Sequence, residues 1–388
     1  MLSRAETQPC PVALDTVDRD RLALIHHPRV PDGCDPGSGG PTPSSPPSSP
    51  PATTAPPATT APPTTAAPTT PSPTAASGTA IPGTWSLLTT ADGTCTDSPA
   101  LIGASFIAEG TTICSPSGTP GPMAPTAWTT RTVPEGSGAT AAVRFPPGGG
   151  LVVATDDGPC IEGLGMPGTW DCHPAASGFP YTDISGLASL GIDAIYVLPD
   201  SVAHVPDILS TPGTAWSLPT VTGVAGAAPT RIAVVEEPAP EVWTGTNGHG
   251  VVVLDIGTGS TTRHTTADGL PSGDVRDLAT GSSDPKLGAG LPVWAATAAG
   301  VARWDGTSWT VFTTAEGLPS NDVHAIAVTA DGVPWVATAG GPASFDGSAW
   351  YGYGSADGVT AEVTDVDDTA WGVWFATPGD GLLVFVAS

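Results

Sequence analysis

The stretch GLPSNDVHAIAVTADGVPWVATAGGPASFDGSAWYGY, residues 317–353, contains one complete copy of the unit from which most of this chain is built. Short runs of valine, alanine and aromatic residues alternate with clusters of Gly, Asp and Pro, which is the pattern of strands joined by tight turns. These runs predict four consecutive β-strands: Val323–Val328, Trp335–Thr338, Ala343–Phe345 and Trp350–Tyr353.

Parts of this unit recur along the chain. The block WTVFTTAEG (Trp309–Gly317) is echoed by WSLLTTADG (Trp85–Gly93) and by TTRHTTADG (Thr261–Gly269). The first position of the block defines a series of anchors: Trp85, Trp128, Trp170, Trp216, Thr261, Trp309 and Trp350. Their spacing is close to 44 residues, which lies within the range of about 40 to 50 for four-stranded propeller blades.

A second motif, W-x-x-T, recurs in step with the first and reads as a strand. Its copies are Val242–Thr246, Val293–Thr297, Pro334–Thr338 and Val373–Thr377, with Leu151–Thr155 as a weaker one. Because two motifs keep the same period, repetition rather than chance similarity organises this part of the chain.

The last repeat, which starts at Glu362, reaches Ser388 with only three predicted strands: Val363–Val366, Trp374–Thr377 and Leu382–Val386. An isolated fourth strand, Trp85–Thr90, stands before the first repeat. Pairing it with the last blade removes two exposed sheet edges. The sequence therefore predicts an all-β fold: a seven-bladed β-propeller over residues 82–388, with the last blade completed by the N-terminal strand of the domain. The motifs are faint in residues 95–138 and 183–226, so a different repeat count with irregular insertions remains an alternative.

The propeller is preceded by a segment that lacks the large apolar side chains needed to form a buried core. Residues 41–81 are almost entirely Pro, Thr, Ser and Ala, a composition that predicts a disordered, semi-rigid stalk or interdomain linker. Residues 1–40 form a short N-terminal segment for which the sequence predicts no fold. Residues 1–30 show no export signal, so an upstream start, a longer protein and an intracellular protein with reduced thiols all remain open.

Charge and hydropathy exclude two classes of partner. The formal net charge is −26, and only 12% of residues are charged. With no cluster of basic side chains to neutralise phosphates, nucleic acid is excluded as a partner. No apolar stretch approaches the roughly 18 to 20 residues of a membrane helix, so membrane insertion of this chain is not expected.

The 6 cysteines fall as near neighbours in sequence. Sequential pairing predicts the disulfides Cys10–Cys34, Cys95–Cys114 and Cys160–Cys172, each closing a local loop as exported β proteins commonly do. A zinc site is the weaker alternative, because no C-x-x-C occurs and His173 is the only histidine adjacent to a cysteine. The disulfide interpretation predicts an extracellular or cell-surface location.

Two segments carry a family resemblance. Gly317–Ile326 followed by Asp331–Thr338, and Gly269–Val275 followed by Trp294–Thr297, resemble the two-component regulator propeller repeat, whose pattern runs roughly G-L-x-x-N-x-V-x-x-I and then D-x-x-G-x-x-W-x-G-T. The resemblance is specific over about 130 residues and implies an extracytoplasmic sensor domain that recognises carbohydrate-type ligands. The chain contains no kinase or receiver segment. Val373–Thr377 also resembles, more faintly, the repeat of streptogramin-lyase propellers, which keeps an enzyme interpretation open.

Candidate ligand-binding residues gather where the innermost strands begin, because propellers commonly bind ligands at the mouth of the central channel. They are Asp274, Arg276, Asp277, Asp322, His324, Glu362 and Asp365. Such an acidic rim suits a hydroxyl-rich ligand or a divalent cation such as calcium; no other cofactor is expected. The alternative is that these Asp residues merely shape the turns before the strands.

Catalytic motifs are missing from the sequence. There is no G-x-S-x-G, H-E-x-x-H, phosphate loop or EF-hand loop, and His249 and His264 have no evident carboxylate or nucleophile partner. The repeated tryptophans are expected to pack blade against blade. The sequence therefore favours a secreted, monomeric binding or sensor module for a small polar ligand or a protein partner, with an extracellular lyase or hydrolase, or an adhesion or scaffold ring, as alternatives.

Overall fold

The computed structural model describes residues 78–388 except 100, 104–105, 121–122, 135–138, 145–150, 156, 164–168, 174–183, 185, 191–192, 199–200, 206–219, 222–228, 236–238, 282–291 and 360–361. The described residues form strands, turns and short 3-10 turns. Across these ranges, no helix has the length and apolarity needed to cross a membrane.

The strands form seven antiparallel sheets of four strands each, which confirms the predicted number of blades. Blade 1 contains β2 (Leu101–Gly103), β3 (Phe106–Glu109), β4 (Thr112–Pro116) and β5 (Trp128–Thr132). Blade 2 contains β6 (Ala139–Arg144), β7 (Leu151–Thr155), β8 (Gly158–Glu162) and β9 (Trp170–Cys172). Blade 3 contains β10 (Gly186–Leu190), β11 (Asp193–Leu198), β12 (Ser201–Val205) and β13 (Thr220–Val221). The described residues in both regions with faint motifs therefore form four-stranded blades.

The remaining blades carry the strong motifs. Blade 4 contains β14 (Pro229–Val235), β15 (Glu241–Thr246), β16 (Gly250–Asp255) and β17 (Thr261–His264), and blade 5 contains β18 (Val275–Thr280), β19 (Val293–Thr297), β20 (Gly300–Trp304) and β21 (Trp309–Phe312). Blade 6 contains β22 (Val323–Val328), β23 (Pro334–Thr338), β24 (Gly341–Phe345) and β25 (Trp350–Gly352). Blade 7 contains β26 (Asp365–Thr369), β27 (Gly372–Thr377), β28 (Gly381–Ala387) and, from the start of the domain, β1 (Gly83–Leu88). Of the predicted anchors, only Trp216 lies outside the described residues.

The first strand of each blade is its innermost strand. Each innermost strand contacts those of the two neighbouring blades, and β2 contacts both β6 and β26, so the series closes into a ring. In every sheet this strand stands at an edge, next to only one partner strand. The backbone groups on its channel-facing side therefore have no strand partner.

Closure of the ring occurs as the sequence predicted. Strand β1 pairs antiparallel with β28 over six residue pairs, from Gly83 opposite Ala387 to Leu88 opposite Leu382. Leu88 packs in a buried cluster with Ile107 and Cys114 of blade 1. The first strand of the domain thus links the last blade to the first.

Two further features hold β1 in place. Before it, residues 78–81, which the sequence assigned to the linker, contact blade 6: Gly78 N–H donates to Trp350 O at 2.8 Å, and Ile81 N–H donates to the Tyr353 hydroxyl at 3.0 Å. After it, a disulfide joins Cys95 to Cys114 in β4.

A second disulfide joins Cys160 to Cys172 across β8 and β9. Two of the three predicted disulfides are therefore confirmed, and the third, Cys10–Cys34, lies outside the described residues. The zinc alternative is not supported, because Cys172 is disulfide-bonded.

The threonine of the W-x-x-T motif has a repeated structural role. In blade 5, the buried Thr297 hydroxyl donates to Gly300 O at 2.8 Å and accepts from Ala299 N–H at 3.1 Å, closing the hairpin between β19 and β20. Threonines at the same position of four other blades make the equivalent bond; they are Thr155, Thr246, Thr338 and Thr377. Gly300 has a φ of +128°, which favours glycine.

The repeated T-T-A-D/E-G block forms the turn from the outer strand to the next blade. In Thr313–Gly317, the Thr313 hydroxyl accepts from Ala315 N–H, while the Glu316 carboxylate accepts from Thr313 N–H at 2.7 Å. This reciprocal arrangement is a capping box. Thr89 and Thr265 make the same arrangement with Asp92 and Asp268, so the strict sequence repeat reflects local hydrogen bonding.

Aromatic clusters pack the strongest blades together. Between blades 5 and 6, Trp294, Phe312, Phe345 and Trp350 lie with ring centroids 5.0 to 6.3 Å apart. The corresponding clusters are Trp243, His264, Trp304 and Trp309 between blades 4 and 5, and Trp335, Tyr353, Phe385 and Trp85 between blades 6 and 7. The tryptophans therefore pack blade against blade, as the sequence predicted.

Candidate functional site

The predicted residues Arg276 and His324 bridge neighbouring blades. Each is the second residue of an innermost strand, and its side chain reaches the backbone carbonyl that begins the next blade's innermost segment. Thr230 makes the same kind of contact in blade 4, so this is a repeated feature of the ring. The three contacts are Thr230 Oγ1 to Val275 O at 2.6 Å, Arg276 Nη1 to Val323 O at 3.4 Å, and His324 Nδ1 to Val363 O at 3.1 Å.

Contacts with carboxylates at the starts of the innermost strands extend these backbone contacts, and those of Arg276 are ion pairs. Arg276 Nη1 lies 2.5 Å from Asp322 Oδ1, and Arg276 Nε lies 3.7 Å from Asp274 Oδ2. His324 Nε2 is 3.9 Å from Asp322 Oδ2. Glu362 is exposed at the start of the last blade. The structure thus brings Asp274, Arg276, Asp322 and His324 together as a charged rim, with Arg276 and His324 already engaged by protein atoms.

Asp277 and Asp365 occupy a different position. Each lies two residues after the valine that opens its innermost segment, Val275 or Val363. In blade 5 a bulge interrupts strand pairing there, because the register shifts between Val275 and Asp277. A bulge re-aims the side chain at that position. Asp277 and Asp365 both line a cavity at the centre of the ring.

Arg231 is the equivalent residue in blade 4, where the register shifts between Pro229 and Ile232. Its side chain also lines the central cavity, with Nε 4.0 Å from Asp277 Oδ1. Sequence reasoning missed Arg231, because blade 4 begins without the G-L-P-S motif that marks blades 5 and 6. The feature of the sequence that could have identified Arg231 is its position, one repeat before Asp277.

The carboxylates satisfy backbone groups at the open inner edges of the sheets. Asp277 Oδ1 accepts from its neighbour Leu278 N–H at 2.9 Å, and Oδ2 accepts from Ile326 N–H of the next blade at 2.9 Å. Asp365 Oδ1 accepts from Val366 N–H at 3.0 Å. An aspartate at this position therefore supplies the partner that a further strand would otherwise provide.

The charges in the channel influence one another. Burial raises the pKa of Asp277 to about 7, against the opposing charge of Arg231, and the nearby Asp365 carboxylate acts in the same direction as burial. Burial acts to lower the pKa of Arg231, but the carboxylates of Asp365 and Asp277 outweigh it and leave that pKa above its usual value. Arg231 therefore stays charged, while Asp277 exchanges a proton near neutral pH.

The cavity has a volume of about 410 Å³ and is lined by the innermost strands of blades 3 to 7. At its other end lie Asp367 and Asp368, and the Asp368 carboxylate accepts from Ala330 N–H of the neighbouring blade at 2.9 Å. Burial raises the pKa of Asp368. The channel thus offers donors from Arg231 and acceptors from several carboxylates to a small polar molecule.

Metal ligation was a second expectation for the rim. Over the part of the chain that the structure describes, no group of three or more His, Cys, Asp or Glu side chains is arranged to hold a metal ion. The rim and the channel therefore offer hydrogen-bonding and ion-pairing groups more than a metal-binding cage.

Comparisons with known proteins give structural matches only. No family model matches this sequence, and no curated protein matches it. Virginiamycin B lyase from Staphylococcus aureus is 14% identical, with a TM-score of 0.58, over 79% of this chain and 99% of that chain. The extracellular domain of a hybrid two component system from B. thetaiotaomicron is 14% identical, with a TM-score of 0.56, over 79% of this chain and 42% of that chain.

A third match is the structure of YCF48 bound to D1 peptide, which is 13% identical, with a TM-score of 0.55, over 81% of this chain and 98% of that chain. The two kinds of propeller that the sequence resembles are both represented among these structures. At such low identity the likeness extends to the fold. The chain is a seven-bladed β-propeller, and its fold is similar to that of virginiamycin B lyase, the two component system domain and YCF48.

Proposed function

We propose that this chain is an extracytoplasmic binding module of the sensor type, which holds a small polar, glycan-like ligand in the central channel of its propeller. The observation that carries the proposal is the central cavity of about 410 Å³, into which Arg231, Asp277 and Asp365 converge from three blades. Its volume is within the usual range for small-molecule sites, and hydroxyl groups of a ligand would find both donors and acceptors there.

An extracytoplasmic location is supported by two disulfides in the ring and by structural neighbours that are extracellular domains. In this proposal residues 1–40 are a separate short segment, residues 41–81 are a stalk whose last four residues, 78–81, contact blade 6, and residues 82–388 are the ring. The rim residues Asp274, Arg276, Asp322 and His324, with Glu362 nearby, guide the ligand toward the channel.

A propeller lyase is the second candidate. The match to virginiamycin B lyase covers 99% of the lyase chain and 79% of this chain. An Asp277 carboxyl with a pKa of about 7 is suited to accept or donate a proton at neutral pH. Binding without turnover distinguishes the sensor from the lyase, and product formation from a bound ligand would favour the lyase.

Thermal unfolding with a panel of oligosaccharides, short peptides and divalent cations tests the proposal. A ligand present at about 100 times its Kd adds about 2.7 kcal/mol, which corresponds to about 4 °C in Tm for a ring of this size. We expect Asp277→Asn and Arg231→Gln to abolish the shift. The matched controls, Asp380→Asn and Arg263→Gln, change the same charges on exposed residues outside the channel and should retain it.

Arg276→Ala and His324→Ala show whether the rim touches the ligand. Loss of the shift in these variants, with the channel variants unaffected, would move the site to the rim. A shift that survives in all four variants would contradict a ligand site at this end of the ring. Stabilisation by peptides alone would favour a protein partner.

A further inference from the structure

A second pocket lies between blades 6 and 7. Its volume is about 350 Å³, which is within the usual range for small-molecule sites. Thr329, Ala330 and Asp368 line both this pocket and the central cavity, whereas Arg231 and Asp277 line the central cavity alone. The walls of the second pocket are mostly apolar, and the large side chains that form them are Ile81, Val333, Trp335, Val373 and Phe385.

Hydrogen bonds hold both sides of this pocket in place. In the turn from β22 to β23, the Thr329 hydroxyl donates to Asp331 Oδ1 at 2.5 Å and accepts from Val333 N–H at 3.0 Å. On the other side, Ile81 N–H donates to the Tyr353 hydroxyl. The pocket is therefore formed before any ligand enters, as is usual for small-molecule sites.

Two carboxylates, those of Asp331 and Asp368, line the otherwise apolar pocket. Asp331 Oδ1 accepts from the Thr329 hydroxyl, and Asp368 Oδ2 accepts from Ala330 N–H at 2.9 Å. Within the described residues, the second oxygen of each carboxylate has no hydrogen-bond partner. Burial raises the pKa of Asp368 against the opposing effect of the Ala330 N–H, and the charge of Asp331 acts in the same direction as burial. A cation bound beside the two carboxylates would reduce this repulsion.

Blades 6 and 7 supply no basic side chain to neutralise the pair. The chain has no Lys or Arg between Arg29 and Arg131 or after Arg303, so neither blade contains one, even with β1 included. Their single histidine, His324, lies at the rim. Over the ranges that the structure describes, no Lys, Arg or His side chain forms an ion pair with either carboxylate. A positive charge at this pocket therefore has to come from a bound molecule.

We infer that this pocket binds a small organic cation, a primary ammonium group on a compact aromatic or branched aliphatic body, with the ammonium placed at Asp331 and Asp368. The apolar walls stabilise the body by removing its surface from water. The free carboxylate oxygens accept the N–H groups of the ammonium in charge-assisted hydrogen bonds. This inference goes beyond the proposed function, because it concerns a different pocket and a different class of ligand.

Other occupants fit this pocket less well. A neutral apolar molecule would leave two carboxylates partly desolvated without a counter-charge, and an anion would be repelled by them. The linker, residues 41–77, precedes the segment that contributes Ile81, but it consists almost only of Pro, Thr, Ser and Ala and has no basic residue. It therefore matches neither the carboxylates nor the large apolar walls.

Isothermal titration of the whole chain at pH 8 with 2-phenylethylamine, 2-phenylethanol and phenylacetate tests the inference. The three probes share a phenyl body and differ in charge, and the amine stays protonated at this pH. An ammonium–carboxylate pair at a partly exposed site strengthens binding by up to about fivefold. With two carboxylates, we expect the amine to bind about tenfold more tightly than the alcohol, and phenylacetate to bind most weakly. High salt should reduce the difference.

Asp331→Asn and Asp368→Asn keep an oxygen to accept the existing hydrogen bonds. Each should lower the affinity for the amine by about threefold and leave that for the alcohol unchanged. Asp380→Asn, on an exposed residue in the turn from β27 to β28, is the matched control and should change neither affinity. Val333→Phe, checked for folding by circular dichroism, fills the pocket and should abolish binding of both probes.

Equal affinities for the amine and the alcohol, or an amine affinity unchanged in both Asn variants of the pocket, would overturn the inference. Amine binding that is lost in Asp277→Asn but retained in Val333→Phe would also overturn it, because the amine would then occupy the central cavity. Binding of none of the three probes would overturn the inference and leave the proposed function intact, since that function is tested separately by the thermal panel.

Discussion

Replacing Trp85 by alanine should destabilise the whole ring, because this residue holds the closing strand against its neighbours. The ring centroid of Trp85 lies 4.9 Å from that of Phe385 and 5.1 Å from that of Tyr353. The centroids of Phe375 and Trp335 are 5.7 and 6.0 Å away. Replacing a buried tryptophan by alanine typically costs about 3 to 5 kcal/mol. Since Trp85 is only partly buried, we expect a loss of about 3 kcal/mol, or about 5 °C in Tm.

The assay is urea unfolding followed by tryptophan fluorescence and circular dichroism, with Leu87→Ala as the matched control. Leu87 is two residues further along the same strand and points to the same side, but it is 45% exposed, so its truncation should cost below about 1 kcal/mol. Amide hydrogen exchange should also show weaker protection in Gly381–Ala387, the partner of β1. Equal losses for the two variants, with unchanged protection of that strand, would refute closure of the ring through Trp85.

Two further predictions concern the repeated packing. Burial lowers the pKa of His264, against the opposing charges of Asp268 and Glu241; the unfolded chain therefore binds more protons below about pH 6.5, and stability falls with decreasing pH. His264→Phe introduces the residue found at the equivalent position of blade 5, Phe312, and should raise Tm more at pH 5 than at pH 8. The control is His249→Phe, at an exposed histidine. A gain in Tm that is the same at both pH values, or that also appears in the control, would contradict this reasoning. Thr297→Val should cost about 1 to 3 kcal/mol in urea unfolding, because the carbonyl of Gly300 loses its hydroxyl donor; the exposed Thr310→Val should be neutral, and equal losses would dismiss the hairpin role.

The sequence predicted the strands of the strong repeats to within a few residues. The predicted strand Val323–Val328 is found unchanged, whereas the innermost strand of the last blade, predicted as Val363–Val366, is Asp365–Thr369. The difference has a local cause, because β26 begins two residues late, at the position where bulges interrupt the equivalent strands. Hydrophobic alternation in a single sequence does not show a bulge.

The candidate site was predicted only in part for the same reason. Asp277 and Asp365 were named from sequence and do line the channel, whereas Arg276 and His324, one residue earlier in the repeat than the channel position, reach sideways to the next blade. Arg231 lacked a neighbouring motif and was missed. Whether a side chain at the start of an innermost strand faces the channel or the next blade depends on backbone geometry that spacing does not encode.

The sequence by itself determined the number of blades, the disulfide pairs at Cys95–Cys114 and Cys160–Cys172, and the closure of the ring by the strand at Trp85. The number of blades follows from repetition, the closure from the need of a strand edge for a partner, and the disulfide pairs from the closeness of the paired cysteines in sequence; all three are visible in one dimension. Only the tertiary structure decided that Arg231, Asp277 and Asp365, which come from three blades, meet in one cavity. Their shared burial, and the influence of their charges on one another, arise from closing the ring around a narrow channel.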